Sequence, residues 1–200
     1  GFLVFSYLIT NLTLNIDRLV LENLIGHLAV TQYYVTSLIG KTLVLLVAPV
    51  NTIIISYLTR KQERMNRRQF LMFTGIGVAV SFVFFICAQI GTPIFVRLFY
   101  GDLYDSVKEM ITVVNLSQIL GVLSAYLFIV VLTFTEEKWQ LLLQIFHLVV
   151  IVALVLIFTG RGGIMGFAEA VLIANTLRVA AVILLGIIKA GKNQQAENNI

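Results

Sequence analysis

Apolar residues along this chain fall in long unbroken runs, with neither the strict alternation of half-buried strands nor the narrow stripe of a soluble amphipathic helix. A bilayer core of ~30 Å is crossed by about 20 apolar residues in helical form. Six runs reach or approach that length: residues 2–20, 31–58, 70–90, 110–134, 141–158 and 163–188. The second contains Pro49, which removes one backbone hydrogen bond and predicts a kink near Leu45. A membrane β-barrel would need alternating segments of ~10 residues, and the runs show none. The pattern predicts an all-α, polytopic membrane protein whose six transmembrane helices form one bundle, followed by a polar tail over 189–200. The stretch from Gly91 to Glu109 mixes Phe95, Phe99, Tyr100 and Tyr104 with charges, which predicts an interfacial loop at headgroup level.

Composition sharpens this. Hydrophobic residues make up 59% of the chain and charged residues 12%, with mean hydropathy +0.97; a soluble domain carries roughly 25% charge. A water-soluble globule and a disordered chain are both excluded. The net charge of +4 is therefore no nucleic-acid footprint, and its placement matters more than its sum. If six helices are threaded in order, Arg60, Lys61, Arg64, Arg67, Arg68, Lys138, Lys189 and Lys192 lie on one side. The positive-inside rule places that side, with both termini, in the cytoplasm. Cys87 is alone within an apolar run, which leaves no disulfide framework and no cysteine-based zinc site. The chain opens on Gly1 and passes directly into an apolar run, without the basic stretch of a signal peptide. That start is the one expected of a segment cut from a longer protein.

Polar groups inside the membrane are the informative positions, because a charge at the bilayer centre costs at least ~2.5 kcal/mol. In the first run Ser6, Thr10, Thr13 and Asp17 form one helical stripe, and Asn11, Asn15, Arg18 and Glu22 a second. Two readings stand: a hydrated lining, or hydrogen-bonding contacts between helices. Arg18 and Glu22 are also spaced to pair along one helix. Lys41 lies deep in the second run; either Asp17 is its partner, the two helices being joined by a short outer turn, or Lys41 reaches the outer interface along its own stem, and Asn51 follows beyond Pro49. The fourth run carries Asn115 and Gln118, the fifth Gln144 and His147, the sixth Glu169 and Arg178. Nine residues separate the last two, about 13 Å along a helix, so they cannot pair within it. Small residues in the third and sixth runs suit close helix packing. No nucleophile elbow, zinc-protease motif, P-loop or metal-ligand cluster is present, so nothing points to an enzyme, a metal or a cofactor.

Several stretches together resemble the superfamily of multidrug, oligosaccharidyl-lipid and polysaccharide exporters. These are NIDRLVLENLIGHLAVTQYYV at residues 15–35, Pro49, the Leu-Phe-Tyr-Gly step at 98–101 and RGGIMGFAEA at 161–170. Their order is similar to that of the C-terminal half of its polysaccharide (O-antigen-type) branch. The resemblance implies one of two six-helix bundles in a bacterial inner-membrane flippase. Its substrate would be an undecaprenyl-pyrophosphate-linked oligosaccharide, exported by alternating access. Arg18, Lys41 and Arg178, with Asn51, Asn115 and Gln118, would then face the substrate lumen, and Asp17 and Glu169 would couple ions or balance charge. The partners implied are the lipid-linked substrate, membrane lipid, and either an N-terminal bundle or a second copy. Three alternatives stand beside it. A drug or metabolite antiporter of the same superfamily would lean on intramembrane carboxylates. A non-transporting scaffold subunit would use every polar group in packing. A membrane glycosyltransferase would need acidic loop residues, for which Asp102, Asp105 and Glu109 are the only candidates.

Overall fold

A computed structural model describes residues 15–61 and 65–198, and these are helical almost throughout, with no strand among them. The elements are α1 (Ile16–Leu24), α2 (His27–Lys61), α3 (Arg67–Phe99), α4 (Gly101–Val107), α5 (Ile111–Leu132) and α6 (Glu137–Asn198). Most of the first apolar run, with Ser6, Thr10, Asn11 and Thr13, lies outside the described residues.

Three stretches are long and apolar enough to cross a membrane: α3, α5, and Leu141–Gly191 within α6. They differ in surroundings. Of the most apolar stretch of each, 61% is buried in α5 against 11% in α3 and 22% in α6, which makes α5 the hub and α3 an outer wall. The exposed side of α3 (Met72, Phe82, Val83, Ile90, Ile94) is apolar, as contact with acyl chains requires.

α6 is one element by hydrogen bonding but two arms in space. Gly163 sits at φ 57°, ψ −139°, a backbone setting that glycine adopts without a Cβ clash, and the chain reverses there. Three contacts mark the hairpin. A Cβ on Gly166 would lie 2.2 Å from the carbonyl oxygen of Phe158. His147 meets Asn175 across the arms. Lys189 stacks over Trp139, 4.4 Å from the ring centre, where the arms end.

The buried apolar side chains divide into two clusters at opposite ends of the bundle. One joins Tyr33, Val35, Val96, Val107, Val155 and Phe167. The other joins Phe70, Leu127, Val130, Val131, Val182 and Leu185. The second end also carries Arg67, Arg68, Lys138 and Lys189, so basic residues from three connections gather at one end of the fold. The start of α3 there is fixed by a capping box: Asn66 accepts from the Gln69 backbone N–H at 2.9 Å, and Gln69 accepts from the Asn66 N–H at 3.1 Å.

Two expectations need correction. Gly91–Glu109 is no interfacial loop throughout. α3 continues through Pro93 to Phe99, because Ile90, Ile94 and Leu98 extend its lipid-facing side and membrane helices tolerate an interior proline. Only then does α4 follow, closed by Lys108 bonding Asp105 at 3.0 Å. Arg18 and Glu22 do not pair. Glu22 instead faces His27 at 3.4 Å, across the turn at Gly26.

Candidate functional site

Between the two apolar clusters runs a polar layer, and α5 is its axis. Asn115, Ser117 and Ser124 of α5 are buried, with Gln118 half-buried beside them. Each faces a different neighbour because α5 is enclosed on several sides.

Toward α3, Asn115 accepts from the Thr92 hydroxyl at 3.1 Å and donates to the Ala88 carbonyl at 3.2 Å and to Gln89 Oε1 at 2.9 Å. Gln89 in turn donates to Thr112 at 2.9 Å. Asn115 thereby ties two helices and has little capacity left for a ligand. Toward α6, Asn175 donates to the Ser117 carbonyl at 2.9 Å and lies 3.2 Å from His147 Nε2. Arg178, three residues further along the same arm, is near enough to His147 for their charges to interact. No carboxylate lies within ion-pair distance of Arg178 among the described residues.

Toward α2, buried Tyr33 lies beside Ser117 and Gln118, with the Asp17 charge nearby, and packs edge-on to Phe167 at 4.9 Å. Gln118 presses against Gly40, where a Cβ would be 2.5 Å from Gln118 Cβ. On the next residue along α2, Lys41 Nζ bonds Asp17 Oδ2 at 2.5 Å. Asp17 also accepts from the Arg18 backbone N–H at 2.9 Å. The Asp17 side chain keeps 12% of its exposure and Lys41 34%, so the carboxylate is the more dependent partner. Tyr34 sits under both cations, 5.6 Å from Lys41 and 6.0 Å from Arg18.

The eight residues singled out by sequence thus separate. Asp17 and Lys41 meet. Arg178 is half-buried at the polar layer, with no carboxylate within ion-pair distance among the described residues. Arg18 is exposed at the rim near Tyr34. Glu169 is exposed and joins no ion pair among the described residues. Asn51 is buried with its Oδ1 lacking a hydrogen-bond partner there, one turn after Val47 and one turn before Ile54 on the same face. Sequence reasoning missed Asn175, Tyr33, Ser117 and Thr92. For Asn175 a signal existed: it shares a helical face with Arg178 and is the only amide in that arm before the tail. For the hydroxyls there was none, since Ser, Thr and Tyr are ordinary in membrane helices.

No group of three or more His, Cys, Asp or Glu that could hold a metal occurs among the described residues. No family model, curated protein or solved structure matches this chain.

Proposed function

We propose that this chain is one bundle of a membrane carrier that moves a lipid-linked oligosaccharide to the outer leaflet by alternating access. The observation that supports it is Arg178: a guanidinium at mid-arm in a membrane-crossing segment, half-buried beside His147 and Asn175, with no carboxylate to neutralise it among the described residues. Cations so placed are costly and mark substrate or ion paths. A pyrophosphate is a fitting counter-ion, since a guanidinium forks onto phosphate oxygens. Lys41 is a weaker candidate because Asp17 already balances it. Asp17 therefore serves charge balance, and Glu169 lies outside the layer. This weighs against the antiporter reading, which needs a free carboxylate in the interior. One observation favours a scaffold subunit: Asn115, Thr92 and Gln89 satisfy one another.

Repeat-built carriers work by one bundle rocking against another around a site at their interface. The 200-residue chain supplies one wall. In proteoliposomes, Arg178→Gln in the two-bundle assembly should cut translocation of a fluorescent lipid-linked oligosaccharide at least about ten-fold, with Arg178→Lys retaining part of it. Unfolding midpoints separate lost function from lost fold. Unchanged transport in a stable Arg178→Gln assembly would remove the reading, as would equal transport by this chain alone as a monomer.

The basic end is assigned to the cytoplasm of a bacterial inner membrane on the same reading. In intact cells, a cysteine at exposed Ser106 should react with an impermeant reagent and one at exposed Arg68 should not, in a Cys87→Ser background. The reverse pattern would invert the orientation.

A further inference from the structure

The hydrogen bonds around His147 fix which of its ring nitrogens carries the proton. The Ser117 carbonyl can only accept, so Asn175 turns its NH2 group toward it, at 2.9 Å. That leaves Asn175 Oδ1 facing His147 Nε2 at 3.2 Å. An amide oxygen also only accepts, so Nε2 is the nitrogen that donates. Turning the amide over would set its oxygen against the Ser117 carbonyl, two acceptors with no proton between them. Neutral His147 is thus held with Nε2 protonated and the lone pair on Nδ1. A second proton can enter at Nδ1 without breaking either bond of the His147–Asn175–Ser117 chain.

The charge that such a proton meets is Arg178. It follows Asn175 by three residues on the same arm, and its charge reaches His147. His147 keeps 4% of its exposure, and like charges repel strongly where water is excluded. A guanidinium stays charged, whereas an imidazole can change its charge near neutral pH. The remaining titratable groups do not offset the pair. α5 turns Tyr126 to the Phe73 carbonyl, and α2 places Tyr33 beside Ser117. Asp17 and Lys41 balance each other, while Arg18, Glu22, Cys87 and Glu169 are exposed. On α6 itself Lys138, Arg161 and Lys189 lie nine or more residues from His147 and from Asn175, about 13 Å or more along the arms. Among the described residues no carboxylate is within ion-pair distance of His147 or Arg178. An anion seated on Arg178 supplies that missing negative charge and lets both side chains be cationic together.

We propose that His147 takes up a proton at Nδ1 when a pyrophosphate group binds at Arg178, so that anion binding and proton binding strengthen each other. The proton comes from bulk water, and no covalent bond to the anion forms or breaks. This coupling rests on Arg178 being an anion site, and it gives that site a coupled ion.

Nitrogen-15 NMR of the histidine ring reads both the tautomer and the proton uptake, in the chain reconstituted in lipid nanodiscs. A His27→Gln background leaves His147 as its one histidine. Without anion, the neutral ring should carry its proton on Nε2; a ring protonated on Nδ1 instead would overturn the hydrogen-bond chain. At the same pH, saturating inorganic pyrophosphate should shift the ring toward imidazolium, and Arg178→Gln should abolish that shift. Calorimetry then compares pyrophosphate affinity at about pH 8 and about pH 5, in the same chain and in His147→Gln. Glutamine keeps an N–H for Asn175 but takes up no proton, and the titration of pyrophosphate itself is common to both. The chain with His147 should gain at least about five-fold more affinity than the variant, the lower end of ordinary coupling between two sites. Pyrophosphate that binds, depends on Arg178 and leaves the ring neutral sinks the coupling while the anion site stands. No binding at either pH, or binding indifferent to Arg178→Gln, removes the anion site and the coupling with it.

Discussion

Replacing Lys41 with methionine should destabilise the bundle by about 2–4 kcal/mol, because it strands the Asp17 carboxylate where only 12% of its side chain is exposed. The figure lies below the ~3–5 kcal/mol typical of a fully buried pair, since Lys41 itself is one-third exposed and the pair is partly screened. Asp17→Asn should cost less. A lysine left alone can extend its stem toward the interface, and Tyr34 still offers a ring face 5.6 Å away. The double variant Asp17→Asn/Lys41→Met should recover more than half of the Lys41→Met loss. Unfolding in mixed micelles reads all three, and a Lys41→Met cost below about 0.5 kcal/mol would mean that water reaches the pair freely.

The second large effect concerns the hairpin. Gly166→Ala puts a methyl group 2.2 Å from the Phe158 carbonyl oxygen. That obstacle is backbone, so no rotamer change relieves it, and the two arms of α6 must separate. Overpacking in a tight core costs about 1–3 kcal/mol, and this position belongs at the upper end. Gly160 and Gly162 supply the control, because a Cβ at either meets nothing within 4 Å. Alanine there should be neutral or slightly stabilising, through its better helix propensity. The same mixed-micelle unfolding measures each variant. If Gly166→Ala and Gly160→Ala behave alike, the arms are not in contact at the turn.

These two positions show what could be read from the chain and what could not. The long apolar runs announced membrane helices because the bilayer sets a length and a polarity that few other environments require. The break between the runs 141–158 and 163–188 marked where one helix gives way to the next, and the structure adds that Gly163 makes the reversal at positive φ. The Asp17–Lys41 contact was one of the two outcomes that the cost of an isolated charge in lipid allows, the other being a lysine stem extended to the interface. The limits of α3 did not follow, because Pro93 reads as a stop in water and is tolerated in a membrane helix. Nor did the layer around α5. Its members are common hydroxyl and amide side chains, drawn from four separate helices. Only their convergence on Asn115, Ser117 and Gln118 of α5 distinguishes them, and convergence is a property of packing that spacing along the chain does not encode. Asn51 is the reverse case: a polar residue obvious in the sequence, whose buried Oδ1 has no partner among the described residues.

The length of α3 bears on the membrane around it. Its 33 residues make a rod of about 50 Å at ~1.5 Å per residue, against a hydrocarbon core of ~30 Å. Even the stretch from Phe70 to Ile94, before Arg97, is about 37 Å long. Lying within the core at that length takes a lean of roughly 35° from the normal, near the upper limit of the tilts seen in membrane helices. α3 does not lean alone, because Asn115 and Tyr126 fasten it to α5 at two points along its length. A thinner bilayer must therefore tip both helices together or gather lipid around the wall to thicken locally. Bilayer thickness thus becomes a mechanical input to the fold, delivered through its most lipid-exposed helix to its most enclosed one.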